Sequence, residues 1–289
     1  MLVIFNPTAG SRRARPLWRV LDVLIANGVR LDVAETRCPG HAETLAREAA
    51  EAGETLIVAA GGDGTIAEVA NGLMGSDARL GIIPLGTANV LAGELGLSLT
   101  PGGIAAALAF GRTRVHWPGL ARGSRGTWMF VQMLGVGFDA RVVHRINPAL
   151  KRIMGRSAYA VQTLAELFRY DFHPITVRID DQETQAASVI VSKGRFYGGK
   201  FVLTDDARPA EPGFSVLLFD RSGPAAALMY GAALPLGRLG RAPGVRHLRA
   251  RQIVFGTNQM IPAQSDGDSA GFTPLSISDA PGPIHVVVG

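Results

Sequence analysis

The stretch from Thr55 to Leu73, TLIVAAGGDGTIAEVANGL, restricts the fold of this chain more than any other. Thr55 to Ala59 is a short apolar run with β-branched residues, the composition of a buried strand. Gly61, Gly62, Asp63, Gly64 and Thr65 interrupt it, and the apolar residues that follow, Ile66, Val69, Ala70 and Leu73, fall at helical spacing. Strand, glycine turn and helix make the geometry in which backbone N–H groups and a helix N-terminus face one anion. The glycines admit positive φ and leave no Cβ between backbone and ligand. Asp63 does not suit a bare phosphate cradle, because a carboxylate repels phosphate unless a cation lies between them. The stretch therefore points to a magnesium nucleotide, with a plain strand-to-helix turn capped by Asp63 as the alternative.

The same alternation extends to both sides. Leu2 to Phe5 reads as a first strand ending in Asn6-Pro7-Thr8-Ala9-Gly10-Ser11, followed by an amphipathic helix through Leu17, Val20, Leu21 and Leu24. Val29 to Thr36 reads as a second strand, and Pro39-Gly40-His41 opens a helix with Leu45, Ala49 and Ala52 inward. Leu80 to Ile83 is a fourth strand, and Pro84-Leu85-Gly86-Thr87-Ala88-Asn89 is a further turn before the helix from Val90 to Leu95. Strands alternating with helices predict a doubly wound parallel sheet, whose ligands bind beyond the strand C-termini. Asn6, Thr36, Asp63 and Thr87 are expected along that edge.

After about Arg114 the pattern changes. Strand-like pieces occur at Trp128 to Met133, Ile175 to Ile179, Ser188 to Val191, Phe214 to Phe219 and Gln252 to Phe255, with a basic helix expected at about Leu150 to Phe168. Short strands and many Pro/Gly turns predict an antiparallel, sandwich-like second domain. The expected division is residues 1–114 for an α/β domain and 115–289 for a β-rich one, packed around a cleft. The final strand, Ile284 to Val288, could belong to either.

At 289 residues and 47% hydrophobic content the chain can bury two cores. One cysteine, Cys38, leaves no intramolecular disulfide and suits a reducing compartment. The uncharged run Ser222 to Gly237 has 16 residues and two prolines, too short and too broken to span a bilayer. A soluble, cytoplasmic protein is expected. The net charge of +5 is uneven: Arg141, Arg145, Lys151, Arg152, Arg156 and Arg169 are accompanied by Glu166 alone, and five arginines lie between Arg238 and Arg251 with no acid. Such clusters suit a solvated surface, a nucleotide phosphate or an anionic membrane face. No zinc-finger, RNP or helix-turn-helix pattern supports nucleic acid.

Six segments in order carry a resemblance. They are Phe5-Asn6-Pro7-Thr8-Ala9-Gly10; Gly61-Gly62-Asp63-Gly64-Thr65 with Glu68 and Asn71-Gly72-Leu73; Pro84-Leu85-Gly86-Thr87-Ala88-Asn89; Gly135-Val136-Gly137-Phe138-Asp139; Tyr197-Gly198-Gly199; and Asp266-Gly267-Asp268. On these, over nearly its full length, the chain resembles the diacylglycerol kinase catalytic-domain family, specifically the soluble bacterial lipid kinases related to sphingosine kinases. The glycine–aspartate pentapeptide also occurs in NAD kinases, but Asn6-Pro7 and the segment from Pro84 to Asn89 favour the lipid kinases.

The resemblance implies a Rossmann-like nucleotide domain, a β-rich lipid-side domain, and transfer of the ATP γ-phosphate to a lipid hydroxyl with Mg²⁺. It places the nucleotide on Asn6, Thr36, Gly62, Asp63, Gly64, Thr65 and Thr87, and gives Asp63 and Asp139 to Mg²⁺ and the phosphoryl group. Asp268 takes the place of the family's usual glutamate, the general base toward the lipid hydroxyl. The partners it implies are a lipid substrate and, peripherally, an anionic membrane at its inner face, with a homodimer left open. Some members also hold an accessory metal through an aspartate before the glycine matching Gly213; Pro212 stands there, so that metal is expected to be absent. The rival functions are an NAD kinase-like phosphotransferase and a nucleotide-binding regulatory protein without catalysis. Plainer roles exist for single residues: a helix cap for Asp139, a loop position for His41, and a turn for the residues around Tyr197 and Lys200. For the stretch from Ala225 to Leu234 a core helix is expected.

Overall fold

The computed structural model describes residues 1–9, 14–124, 126–146, 157–256 and 260–289. It contains two compact units, Met1–Trp117 with Pro281–Gly289, and Pro118–Ala280.

The first unit is built on strands β1 (Leu2–Phe5), β2 (Asp32–Glu35), β3 (Leu56–Gly61), β4 (Arg79–Pro84) and β5 (Arg112–His116) and helices α1 (Ala14–Ala26), α2 (His41–Glu51), α3 (Asp63–Gly72), α4 (Val90–Glu94) and α5 (Pro101–Phe110). The chain's last strand, Ile284–Val288, completes the sheet, parallel to β4 and antiparallel to β5. The order is β2-β1-β3-β4, then the last strand, then β5, and β1 to β4 run parallel. β3 is buried at all six positions, as a continuous apolar run requires when helices cover both faces. Val3, Phe5, Val58 and Ala60 meet Leu17 and Leu21 of α1 and Ile104 and Leu108 of α5. The other helices stack too: α2 and α3 pack closely together, and α3 packs against β3.

The second unit holds strands β6 (Gly119–Gly123), β7 (Gly126–Phe130), β8 (Met133–Val136), β9 (Ile175–Ile179), β10 (Gln182–Ala186), β11 (Ser188–Ser192), β12 (Phe196–Tyr197), β13 (Phe201–Val202), β14 (Phe214–Phe219), β15 (Val245–Ala250), β16 (Ile253–Phe255), β17 (Pro262–Ser265), β18 (Asp268–Phe272) and β19 (Leu275–Asp279). They form two antiparallel sheets, β10-β9-β16-β19-β6-β7 and β15-β14-β11-β8-β17-β18, with a small β12–β13 hairpin. One core fills the space between the sheets: Val177, Phe255 and Ile277 come from the first and Leu134, Val189 and Val216 from the second. The α-helices among its described residues are α6 (Phe138–Arg145), α7 (Ser157–Glu166) and α8 (Pro224–Ala233).

Several expectations change. The continuous strand Trp128 to Met133 is broken, because the chain leaves one sheet at Phe130 and enters the other at Met133. The second strand is shorter than Val29 to Thr36 and runs from Asp32 to Glu35. The first unit keeps β5 as far as His116, beyond the expected boundary at 114, and takes back the last strand. Part of the expected basic helix, residues 150–156, lies outside the described residues, as do Lys151, Arg152 and Arg156; the helix is described from Ser157. The helix from Pro224 to Ala233 buries only Ala226 and is a surface element, not a core helix.

Candidate functional site

In the first unit the parallel register places Asn6, Thr36, Gly62 and the 84–89 turn after the C-terminal ends of β1, β2, β3 and β4. Direct bonds join them. Asn6 Nδ2 donates to Thr65 Oγ1 at 3.0 Å, and the Asn6 Oδ1 accepts from Thr8 N at 2.9 Å and Thr8 Oγ1 at 2.8 Å. Thr36 N donates to Phe5 O at 2.9 Å, tying its turn to the end of β1. Thr65 is buried, and Gly64 lies with it inside the first turn of α3. Thr87 is exposed in its turn.

Two of the glycines are there for a close approach. A Cβ at Gly86 would lie 2.6 Å from the Gly62 Cα, so the turns after β3 and β4 meet backbone to backbone. With the two turns this close, the Asp63 side chain turns from its own helix to the next. The N-cap of α3 is Gly62, and Asp63 Oδ1 instead accepts from Val90 N at 2.7 Å and Leu91 N at 3.5 Å, capping α4. Burial raises the Asp63 pKa above the ordinary carboxylate range, and the α4 amides oppose the rise. One turn further along α3, Glu68 Oε2 accepts from Ala42 N at 3.2 Å, at the start of α2, whose own N-cap is Gly40. The helix that follows the glycine turn thus supplies the carboxylates for two neighbouring helix starts.

In the second unit Asp139 sits in the first turn of α6, after Gly137. Its Oδ2 accepts from Gln264 Nε2 at 3.2 Å, and its Oδ1 is buried with no hydrogen-bond partner among the described residues. Only glycine fits opposite: a Cβ at Gly135 would lie 2.1 Å from Asp139 Oδ2. Desolvation by burial pushes the Asp139 pKa up to about 6, against the lowering effect of the Gln264 bond. A buried carboxylate oxygen with no hydrogen-bond partner among the described residues is a place a cation would satisfy, so Asp139 fits a share in holding Mg²⁺.

The Asp266-Gly267-Asp268 segment forms the tip of the β17–β18 hairpin, with positive φ at Asp266 and Gly267. The Asp266 carboxylate accepts from Val131 N and Gln132 N at 2.8 Å each and from Met133 N at 2.9 Å, at the crossing between β7 and β8. Gly267 N donates to Gln264 Oε1 at 2.9 Å, so the two ends of one buried amide join Asp139 to the hairpin tip. Asp268 opens β18 opposite Ser265 and is exposed. Beside it, Ser269 Oγ lies 3.0 Å from His144 Nε2, and that nitrogen is also 2.8 Å from Ala263 O.

Asp139 and Asp268 are thus brought to one structure through Gln264, a residue the sequence reading passed over together with His144. A signal for Gln264 exists in hindsight, an amide two residues before an Asp-Gly turn. Of the side roles, His41 Nδ1 accepts from Arg37 N at 3.1 Å and holds its own loop, Tyr197 ends β12, and Lys200 lies in the turn of the β12–β13 hairpin.

Asp139→Asn is expected to stabilise the free protein at neutral pH. With a folded pKa of about 6 against 3.8 unfolded, the folded state binds more protons between those values, so stability falls as pH rises through that window. The cost at pH 7, at 1.36 kcal/mol per unit, is about 3 kcal/mol at most. Thermal unfolding in EDTA checks this: the Asn variant should gain at pH 7 and lose its advantage near pH 4.

Two family profiles match the chain: the diacylglycerol kinase catalytic domain over residues 1–116, and the YegS C-terminal NAD kinase beta sandwich-like domain over residues 132–288. A Bacillus subtilis diacylglycerol kinase is 26% identical across 99% of this chain and 95% of its own. A protein of Pseudomonas putida named as a probable lipid kinase, YegS-like, is 32% identical across 72% of this chain and 69% of its own. A crystal structure of a diacylglycerol kinase from Bacillus anthracis shares the fold, with a TM-score of 0.71 at 20% identity over 100% of this chain and 96% of the other.

Proposed function

This chain belongs to the family of diacylglycerol kinase and YegS-like lipid kinases, and from that footing we propose that it transfers the γ-phosphate of ATP to a lipid hydroxyl at a membrane surface. The observation that carries the reading is the Asp139–Gln264–Gly267 link, which sets a buried carboxylate beside the hairpin that bears Asp268. Asn6, Thr36, the backbone from Gly62 to Thr65, and Thr87 bind the nucleotide. Asp63 and Asp139 are the residues that would help to hold Mg²⁺, which would supply the positive charge that phosphoryl transfer requires at the phosphates. Asp63 serves it while keeping its cap on α4. Asp268 accepts the proton of the attacking hydroxyl, and its exposure leaves it open to a substrate from outside.

Peripheral contact with an anionic membrane at its cytoplasmic face belongs to the same reading. Val161, Leu164 and Phe168, three and four residues apart, are 46%, 58% and 82% exposed, and Arg169 follows them. No helix among the described residues is long and apolar enough to cross a membrane. The arginine cluster contributes less than its count implies. Arg246 is engaged by Asp220, Thr184 and the Gln185 carbonyl, and Arg249 by the Asp206 carbonyl.

Incubation with γ-labelled ATP, Mg²⁺ and a total bacterial lipid extract tests the proposal. Label is expected in an organic-phase product, whose identification separates diacylglycerol, phosphatidylglycerol, sphingoid base and polyprenol. Label found only in NADP would replace the reading with an NAD kinase-like one, and ATP binding without transfer to any acceptor would leave a regulatory protein.

A further inference from the structure

Lys193 follows directly on β11 and is buried, with 1% of its surface exposed. Its Nζ donates to Gly213 O at 2.7 Å and to Glu211 O at 2.9 Å, and lies 3.5 Å from Asp279 Oδ1. The Phe214 ring centroid is 4.9 Å from the same nitrogen. An ammonium has three protons to place, and three oxygens surround this one. Asp279 Oδ1 also accepts from Gly213 N at 2.7 Å, so the cage ties the 211–213 loop to the end of β19. A second cation holds the same loop further back, where Arg249 Nη1 donates to Asp206 O at 3.1 Å.

Burying an ammonium is costly unless it is fully bonded, and its desolvation pulls the Lys193 pKa down to about 8 despite Asp279. Two main-chain carbonyls and a carboxylate are also what a hard divalent ion takes as ligands. An accessory metal at Gly213, which the family resemblance implies for some members, takes an acid where Pro212 stands. Here the oxygens are turned onto Lys193, and position 212 offers no ligand. The residues do not fit a bound metal.

We propose that Lys193 is a tethered cation, whose ammonium gives the 211–213 loop what a bound metal ion would give it, and that deleting its side chain leaves a site for a small free cation. The loop of the wild-type protein then needs no metal, and an alkylammonium the size of the lost atoms restores the variant.

Hydrogen exchange over residues 206–215 reads this directly, in EDTA and in Mg²⁺ or Ca²⁺. Wild-type exchange should be the same in all three. In Lys193→Ala the Gly213 amide should exchange at least about tenfold faster, the effect of losing bonds to a charged donor, and propylammonium should slow it again in a saturable way. Lys193→Met keeps the apolar stem without the charge; it should exchange as fast and ignore propylammonium, because the space is filled. If the Ala variant does not fold, the Met variant and the wild-type metal series decide. Wild-type exchange rates in Lys193→Met would show that the charge does not hold the loop. Slower exchange of the wild-type loop in Mg²⁺ or Ca²⁺ would show that a metal binds there, and a folded Ala variant indifferent to propylammonium would remove the cation site.

Discussion

Asp268→Asn is expected to lower kcat by at least about 100-fold and to leave ATP affinity unchanged. A general base contributes roughly 10²–10⁴-fold, or about 3–5 kcal/mol at 1.36 kcal/mol per tenfold. The side chain is exposed at the start of β18 and the substitution keeps its size, so folding should be unaffected. The proposed nucleotide residues lie in the other unit, from Asn6 to Thr87. Asp268→Glu, which restores the family's usual residue, separates two designs. If the site is built around the shorter side chain, Glu works poorly; if a water spans the gap, it works well. Steady-state kinetics together with nucleotide binding by calorimetry give both numbers.

Asp266 should behave differently although it stands two residues away. Its carboxylate accepts three backbone N–H bonds at the point where the chain passes from one sheet to the other. Hydrogen bonds to a charged group contribute about 1.5–3 kcal/mol each, and orphaned donors add their desolvation cost. Asp266→Ala is expected to lose at least about 4.5 kcal/mol, the lower bound for three such bonds and a large share of the usual 5–15 kcal/mol of a folded protein. Asp266→Asn should lose about half of that, since one oxygen still accepts while the amide group faces an N–H. Denaturant unfolding measures both. An Asp266→Ala protein within about 1 kcal/mol of wild type would mean that the crossing is held by something else.

Those two aspartates show what a sequence can and cannot carry. The run from Thr55 to Leu73 was legible, because a buried strand, a glycine turn and an apolar helix face are all local patterns: β3 is Leu56–Gly61 and α3 is Asp63–Gly72. The reach of Asp63 to Val90 was not, since it depends on two turns meeting at Gly62 and Gly86. The apolar alternation of Ile284 to Val288 announces a strand, but its place between β4 and β5 is a pairing across most of the chain. Trp128 to Met133 looks continuous, and what breaks it is a carboxylate more than 130 residues away. Motif residues were visible by type and order; Gln264, which joins two of them, has only its place before the Asp-Gly turn to mark it, and its two bonds give it its role.

In the proposed reaction the phosphate leaving ATP arrives on a lipid hydroxyl. Purified protein with γ-labelled ATP, Mg²⁺ and an acceptor lipid in mixed micelles allows ADP and organic-phase phosphate to be counted together. Equal amounts of the two are expected in the wild type, and at least about 100-fold less of both in Asp268→Asn. ADP formed without lipid phosphate, or an Asp268→Asn protein that phosphorylates lipid at the wild-type rate, would contradict the proposal.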